Sequence, residues 1–564
     1  MKVIITGGVA GGASAAARLR RLDEQAEIIV FERSGYISYA NCGLPYYIGG
    51  VIEDPEELTL QTPESFFARF RVHMKVRHEV TAIHPERKSV SVKNLDTGEE
   101  YEESYDKLLL SPGAKPTQPR LPGVEQERLF TLRTVEDTFR IKEYINQNHP
   151  QTAVLAGGGF IGLELAENLR ALGMDVTIVQ RPKQLMNPFD PDMAAFIHSE
   201  MRRHGVKLAL GHTVEGFETK DNGVDVLLKD EPPLHADMVV LAIGVTPDTA
   251  LAKDAGLELG LKGSIVVNDR METSVPDIYA VGDAVQVKHY VTGQNTLLSL
   301  AGPANRQGRI AANNICGKDS RYPGSQGSSV IKVFDLTAAT TGINETNARK
   351  AGLNVDKVIL SPMSHAGYYP GGMLMTMKVI FEKSTCRLLG AQIIGYEGVD
   401  KRIDVLAAAI HAGLTATRLK DLDLAYAPPY SSAKDPVNMA GFMIENIANG
   451  LLKQFHLEQL SSLPTDGSIT LLDVRTTQEY AGGHVEGFCN IPVDELRERL
   501  TEIDPHKPVY VICQSGLRSY IACRILTGHG YDAYNFAGGF RFYETVIHDR
   551  RLTEAATACG MDQT

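Results

Sequence analysis

Short apolar runs, glycine turns and helical repeats alternate along the first 300 or so residues. Lys2 to Thr6 is apolar and rich in β-branched residues, Gly7 to Gly12 is a glycine turn, and Ala13 to Leu22 has helical spacing. Ile28 to Phe31 then reads as a second buried strand closed by Glu32. The pattern returns at Val154-Leu155, which leads into Gly157-Gly158-Gly159-Phe160-Ile161-Gly162-Leu163-Glu164, a helix, and a strand over Val176 to Gln180. Between the two repeats, Phe66 to Val80 and Lys88 to Lys93 read as a helix end and strands. Lys107 to Ala114 reads as a buried strand ending in a tight turn. Val239 to Gly244 gives another strand and turn, and Thr273 to Ala284 brings the chain back to its first domain with Gly282-Asp283 at a strand end.

After Ser328 the rhythm changes to alternating strands, Val330 to Phe334 and Met375 to Phe381, with a helix over Val399 to Ala412. Gly450 to Pro464 reads as a linker. A small domain follows: a strand over Thr470 to Val474, a turn at Gly483-His484, and a buried strand, Val509 to Ile512, that delivers Cys513-Gln-Ser-Gly-Leu-Arg518-Ser519 to a helix over Tyr520 to Leu526.

Glycines at a strand-to-helix turn let the backbone approach a pyrophosphate seated on the helix N-terminus, and an acid ending the second strand accepts from a ribose hydroxyl. The first turn departs from G-x-G-x-x-G at its middle position, Val9; the second is complete at Gly157, Gly159 and Gly162. Two such folds, the second inserted after the first has begun, imply two nucleotides brought together. Gln180 stands where an acid would hold the ribose of NAD and is followed by Arg181 and Lys183. This pattern leaves two readings open, tolerance of a 2′-phosphate or ordinary solvated loop charges.

At 564 residues the chain is expected to hold roughly three to five domains. A composition 43 % hydrophobic and 22 % charged is that of a soluble globular protein, and a net charge of −12 argues against a general nucleic-acid binder. The local cluster Arg18-Leu-Arg20-Arg21 still suits a small anion. No apolar run reaches a membrane span, and Lys2 to Thr6 is too short for a signal peptide, so a cytoplasmic protein is expected. Seven cysteines without a C-x-x-C fit neither a disulfide framework nor a zinc site, and no metal is expected. Cys316, Cys386, Cys489, Cys523 and Cys559 lie in no chemical motif and read as idle thiols.

Two cysteines stand apart. Cys42, in Ser38-Tyr-Ala-Asn-Cys-Gly-Leu-Pro45, follows the first nucleotide repeat closely enough to face a flavin. Cys513 sits in a loop of backbone N–H groups at a helix N-terminus beside Arg518, a setting that suits a nucleophile.

Gly7 to Gly12, Gly157 to Gly162 and Val281-Gly282-Asp283 resemble the three nucleotide motifs of the two-dinucleotide-binding-domain flavoprotein disulfide reductases. The single cysteine in Ser38 to Pro45, in place of a C-x4-C pair, is similar to the coenzyme A disulfide reductase branch, which includes NADH oxidases, peroxidases and persulfide reductases. The resemblance covers about residues 1 to 445. It implies an α/β fold with an FAD-binding domain over 1–115 and 245–327, an NAD(P)-binding domain over 116–244, and an α+β dimerisation domain over 328–449. It therefore implies a homodimer whose dimerisation residues reach the partner's active site. FAD would be held by Gly7, Ala10, Gly11, Gly12, Glu32, Arg33, Asn41, Cys42, Val80, Ser111, Gly113, Gly282, Asp283 and Ala301. NADH or NADPH would be held by Gly157, Gly159, Phe160, Ile161, Gly162, Glu164, Gln180 and Gly244.

Coenzyme A, as substrate or bound carrier, would contact Ser14, Arg18, Arg21, Ser38, Asn41, Arg71, Asn305 and Lys434. Asn305 replaces a histidine of some relatives, and Phe70 falls where a lysine is used, although Arg69 and Arg71 flank it. Tyr368, beside Tyr369, and Tyr426 match the two tyrosines that the branch places by the substrate sulfur. Residues 465–560 resemble rhodanese, with Asp473-Val474-Arg475 and Ala537-Gly538-Gly539 as further marks; the four residues between Cys513 and Arg518 match the sulfurtransferase loop, one fewer than in the related phosphatases.

A rhodanese loop carries sulfane sulfur, which favours reduction of persulfides or polysulfides over coenzyme A disulfide alone. Two other classes stay open at this point. One is an oxidase or peroxidase cycling Cys42 through a sulfenic acid; the other is a sulfurtransferase or sulfur sensor working mainly through Cys513.

Overall fold

The computed structural model describes residues 1–555, which form two compact units. Cys559 lies outside the described residues. Among the described residues the first unit comprises 1–183 and 205–327 and contains both nucleotide folds; the second comprises 184–204 and 328–555.

In the first unit, a five-stranded sheet runs Ile278–Ala280, Lys107–Leu110, Lys2–Thr6, Glu27–Glu32, His73–Val76, with every pairing parallel. Strands buried on both faces explain why Val3 to Ile5 and Ile28 to Phe31 read as unbroken apolar runs. A second five-stranded parallel sheet runs Leu129–Thr131, Met238–Leu241, Thr152–Ala156, Asp175–Gln180, Lys207–Leu210. The last four positions follow the same order in both sheets; they differ in whether the first edge strand comes late in the chain (Ile278–Ala280) or early (Leu129–Thr131). An antiparallel sheet of His78–His84, Ser89–Asn94 and Glu100–Ser104 buries Val80.

The helices Ala10–Leu22 and Ala301–Ile315 cross closely. Gly308 makes this possible, because a Cβ there would lie 2.3 Å from the Gly11 carbonyl oxygen.

The second unit holds an antiparallel sheet ordered Ser329–Val333, Leu336–Gly342, Leu388–Gly395, Thr376–Glu382, Val355–Leu360, with the helix Val399–His411 against it. The segment 184–204, which connects two strands of the second nucleotide sheet, belongs to this unit. Buried charge explains the attachment. Lys378, 1 % exposed, meets Asp190 at 3.1 Å, Asp192 at 2.8 Å and Glu345 at 2.9 Å. Burial alone would lower the Lys378 pKa, and the three carboxylates outweigh it, holding the ammonium well above its ordinary value. Removing one partner from such a cluster costs about 3–5 kcal/mol, because a charge is left buried and unpaired.

The C-terminal domain is a parallel sheet ordered Lys453–Phe455, Ala533–Phe536, Val509–Ile512, Thr470–Asp473, Cys489–Asn490. Its first strand lies inside the stretch expected to be a linker, 450–464. Phe455 is the reason: it is buried and packs on Phe536 and Tyr510. The helix Leu457–Leu460 follows, and His456 and Gln454 hydrogen-bond to Asp356 and the Lys357 carbonyl of the antiparallel sheet.

The last helix, Gly539–Ala555, packs on the helix Pro191–Arg203. Asp549 receives hydrogen bonds from His198 Nδ1 at 2.9 Å and Arg202 at 2.5 Å. Burial works to raise the Asp549 pKa, and these two partners prevail and hold it below the carboxylate range. Among the described residues no helix is long and apolar enough to cross a membrane.

Candidate functional site

Each nucleotide loop is built by close backbone approach. Gly12 seats the first helix on its strand, for a Cβ there would lie 1.9 Å from the Gly7 carbonyl oxygen; Gly162 does the same, at 2.1 Å from Gly157. Both following helices start without a side-chain cap or an acid in the first turn, which leaves their amides for an anion. By contrast, Thr134 and Asp137 cap the nearby helix Val135–Asn148. These bare N-termini fit the phosphates of the implied dinucleotides.

Glu32 accepts from the Gly8 amide at 2.8 Å and the Ser34 amide at 2.9 Å; burial raises its pKa, although those bonds oppose it. Arg33 pairs with Asp248 at 2.8 Å. Ser111 and Gly113 lie just past the strand Lys107–Leu110; the Ser111 amide donates to Thr6, and its carbonyl sits against Gly7. Gly244 and Gly282 adopt the left-handed backbone of tight turns, Ala301 opens its helix on the surface, and Phe160 and Ile161 begin the second loop's helix. Asp283 accepts from Arg133 at 2.7 Å. Arg133 carried no motif; a single arginine ahead of a capped helix gives no sequence signal for a partner 150 residues later.

Cys42 lies in a short turn, Asn41–Gly43, that runs into the helix Leu44–Gly49. Gly49 lets this helix press on the helix Phe160–Ala171 of the second nucleotide fold, since a Cβ would lie 2.0 Å from Asn168 Oδ1. The packing carries Cys42 into the field of Glu164. Partial burial pushes the Cys42 thiol up, Glu164 adds to this, and Arg133 opposes it. Glu164 itself is pushed up to about 7 by burial and by Glu167, so it exchanges its proton near neutrality.

On the helix Ala10–Leu22, expected to contribute to coenzyme A binding, Ser14 hydrogen-bonds Asn305, and Arg18 donates to Asn313 at 2.9 Å. The basic cluster loses one member: buried Arg20 donates to the carbonyls of Phe70 (2.8 Å), Arg71 (2.9 Å) and Glu24 (2.7 Å), so it locks the neighbouring helix end and is not free for an anion. Burial, then the charges of Arg309 and Arg21, lower the Arg18 pKa. Arg309 lies in no motif, yet the sequence carries a signal for it: the two crossing helices contain no acid, in a chain with 69. Arg71 adopts a left-handed backbone with its guanidinium over Phe67, Ser38 has φ +46, and Lys434 is exposed in the second unit.

The hydroxyls of Tyr368 and Tyr426 lie 2.7 Å apart on the surface of the second unit. The Tyr368 hydrogen bond raises the Tyr426 pKa. Tyr369 instead stands edge-on to His365.

Cys513, 0 % exposed, accepts hydrogen bonds from the Gly516 amide at 3.1 Å and the Ser519 hydroxyl at 3.2 Å. Such donors are what a thiolate, or the terminal sulfur of a persulfide, accepts. Underneath, the Phe540 amide donates to the Cys513 carbonyl (2.7 Å) and the Arg541 amide to Gln514 (3.2 Å). Gly539 explains the Ala-Gly-Gly mark: with φ +73, its Cβ would strike the Gln514 backbone at 2.7 Å. Arg518 is forked on Glu479 by two 2.7 Å bonds, which bring that carboxyl down to about 2. Glu479 was readable as the end of a Thr476-x-x-Glu479 capping box, and its link to Arg518 was not. Arg475 pairs with Asp473 at 2.7 Å in full burial, with its guanidinium 3.9 Å from the Phe540 ring centre.

All cysteines among the described residues are free, and Cys523 is buried with its thiol pushed far up. Glu200, His204 and Asp335 bring three ligand-type atoms within 4.8 Å, but Glu200 is already bonded to Arg203 and Tyr396.

The sequence description "pyridine nucleotide-disulphide oxidoreductase" matches residues 1–308, its dimerisation domain matches 328–436, and a rhodanese-like domain matches 456–544. A coenzyme A disulfide reductase of Staphylococcus aureus (strain bovine RF122 / ET3-1) is 38 % identical over 442 residues, 78 % of this chain and 99 % of that enzyme. Among solved structures, reduced Bacillus anthracis CoADR-RHD is 49 % identical with a TM-score of 0.95, covering 97 % of this chain and 98 % of that one. A NAD-dependent persulfide reductase from A. fulgidus is 38 % identical with a TM-score of 0.90, covering 96 % and 100 %.

Proposed function

Because the chain belongs to the pyridine nucleotide-disulphide oxidoreductase family, we propose that it reduces coenzyme A disulfide, coenzyme A persulfide or polysulfide at the expense of NAD(P)H, through Cys42. The observation that carries this reading is the isolation of Cys42: it follows a dinucleotide loop with no second cysteine near it in sequence, so the partner sulfur comes from a ligand. FAD, when bound, accepts hydride from the nicotinamide and supplies two electrons to sulfur. Cys42 as thiolate attacks one sulfur of the substrate, forms a mixed disulfide with it and releases the other sulfur as thiol or sulfide. Glu164, pushed up to about 7, opposes the Cys42 thiolate through its charge once ionised.

The bare helix N-termini and Glu32 orient the nucleotides, and Arg18, Arg21 and Arg309 offer cations to the phosphates of coenzyme A. Tyr368 and Tyr426 donate to the leaving thiolate, in a homodimer. Cys513 carries sulfane sulfur as a persulfide, held by Gly516 and Ser519.

Anaerobic NADH oxidation with coenzyme A persulfide, compared across wild type, Cys42→Ser and Cys513→Ser, tests this. Loss of turnover by roughly a thousandfold or more in Cys42→Ser is expected. Turnover that survives in Cys42→Ser removes the reading, and an equal rate with oxygen alone favours an oxidase.

A further inference from the structure

The two nucleotide folds of the first unit act as each other's control. In the first, Glu32 ends the second strand and accepts from the amide of the loop's second glycine, Gly8, at 2.8 Å. In the other, Gln180 ends the corresponding strand and accepts from the equivalent glycine, Gly158, at 3.0 Å. The hydrogen bond is kept and the charge is gone. With its oxygen engaged by Gly158, the amide adds two N–H donors and no negative charge. The residues that follow differ in the same sense. Arg33, after Glu32, is neutralised by Asp248 at 2.8 Å. Arg181 and Lys183, after Gln180, are exposed and make no hydrogen bond or ion pair among the described residues.

A carboxylate at this position accepts from a ribose 2′-hydroxyl and repels a 2′-phosphate; a neutral amide followed by two free cations does the reverse. Arg181 in particular offers the planar fork that matches phosphate oxygens. We infer that the second fold binds the adenosine 2′-phosphate, so that this chain takes NADPH in preference to NADH, with Gln180, Arg181 and Lys183 as the residues that set the choice. The inference rests on reading this fold as the nicotinamide nucleotide site. The 2′-phosphate is remote from the hydride-donating carbon, so the preference acts on binding and leaves the redox step the same for either nucleotide.

Two measurements on the full-length flavin-loaded protein, without any disulfide, test it. In the first, adenosine 2′,5′-bisphosphate and 5′-AMP are titrated calorimetrically. The bisphosphate is expected to bind about tenfold to a hundredfold more tightly, the range of a charge-assisted contact. Arg181→Ala removes most of that difference, and Gln180→Glu reverses it, with the visible flavin spectrum of each variant reporting an intact fold. In the second, NADPH and NADH are compared anaerobically for bleaching of the flavin. Equal affinity for the two adenosine probes, or bleaching by NADH alone, overturns the inference and leaves the reductase reading in place. Failure of both nucleotides to bleach the flavin removes that reading and the inference together.

Discussion

In the proposed scheme Cys42 and Cys513 answer the same chemical demand, a sulfur that accepts and releases sulfur, by different means. Cys42 lies in a turn within reach of solvent, where partial burial raises its thiol first and charges on neighbouring elements then tune it: Glu164 works against the anion and Arg133 for it. Cys513 is fully buried and takes its character from hydrogen bonds made within its own loop, by Gly516 and Ser519. A thiol tuned in part by a titrating neighbour changes with its surroundings, whereas one held by backbone and hydroxyl donors is fixed by the fold. The difference suits the proposed division, electron exchange in one case and storage of a sulfur atom in the other.

The comparison breaks most sharply on substitution of each sulfur. Cys513→Ser should retain reduction of coenzyme A disulfide and lose sulfur transfer from thiosulfate to cyanide by roughly a thousandfold; Cys42→Ser should show the opposite pattern. Comparable loss of both reactions in either variant would mean the thiols do not divide the work. Next in size is Gly539→Ala. Its Cβ would meet the Gln514 backbone at a left-handed position, so strain of about 1–3 kcal/mol falls on the Cys513 loop. Sulfur transfer and the melting of the C-terminal domain should suffer, while disulfide reduction stays unchanged.

Ser519→Ala removes one donor to Cys513 and should slow sulfur loading about 2–10-fold, as expected for one hydrogen bond. The smallest effect concerns Glu164. Its carboxyl is protonated below about pH 7 and charged above, so its influence on Cys42 appears only as pH rises through that value. In Glu164→Gln, the midpoint for alkylation of reduced Cys42 should move to lower pH, and in Arg133→Met to higher pH. No movement in either would separate Cys42 from both charges.

Much of this was readable from residue order. Strands buried on both faces gave continuous apolar runs, and glycines forced by contacts of about 2 Å could be nothing else, so both nucleotide folds, the return through Thr273–Ala284 and the Cys513 loop stood out. What stayed hidden is long-range and polar. Arg20 looked like one cation among three, and only its bonds to the Phe70 and Arg71 carbonyls reveal a structural role. Phe455 lay in a polar stretch too short for a periodic signal, so the strand Lys453–Phe455 read as linker. Asp190 and Lys378, 188 residues apart, carry no local mark of the cluster that recruits the segment 184–204 to the second unit.

The helix Gly539–Ala555 has a practical bearing on protein engineering. Its first amides brace the Cys513 loop, and its Asp549 neutralises Arg202 and engages His198. Excising the tail at residue 450 to obtain a minimal reductase would therefore strip Phe196 of its aromatic neighbour Phe542 and leave His198 and Arg202 without their carboxylate. Such a fragment would carry a fresh sticky scar, and poor behaviour in solution would say nothing about whether sulfur delivery is needed for catalysis. Silencing Cys513 in the intact chain is the cleaner way to ask.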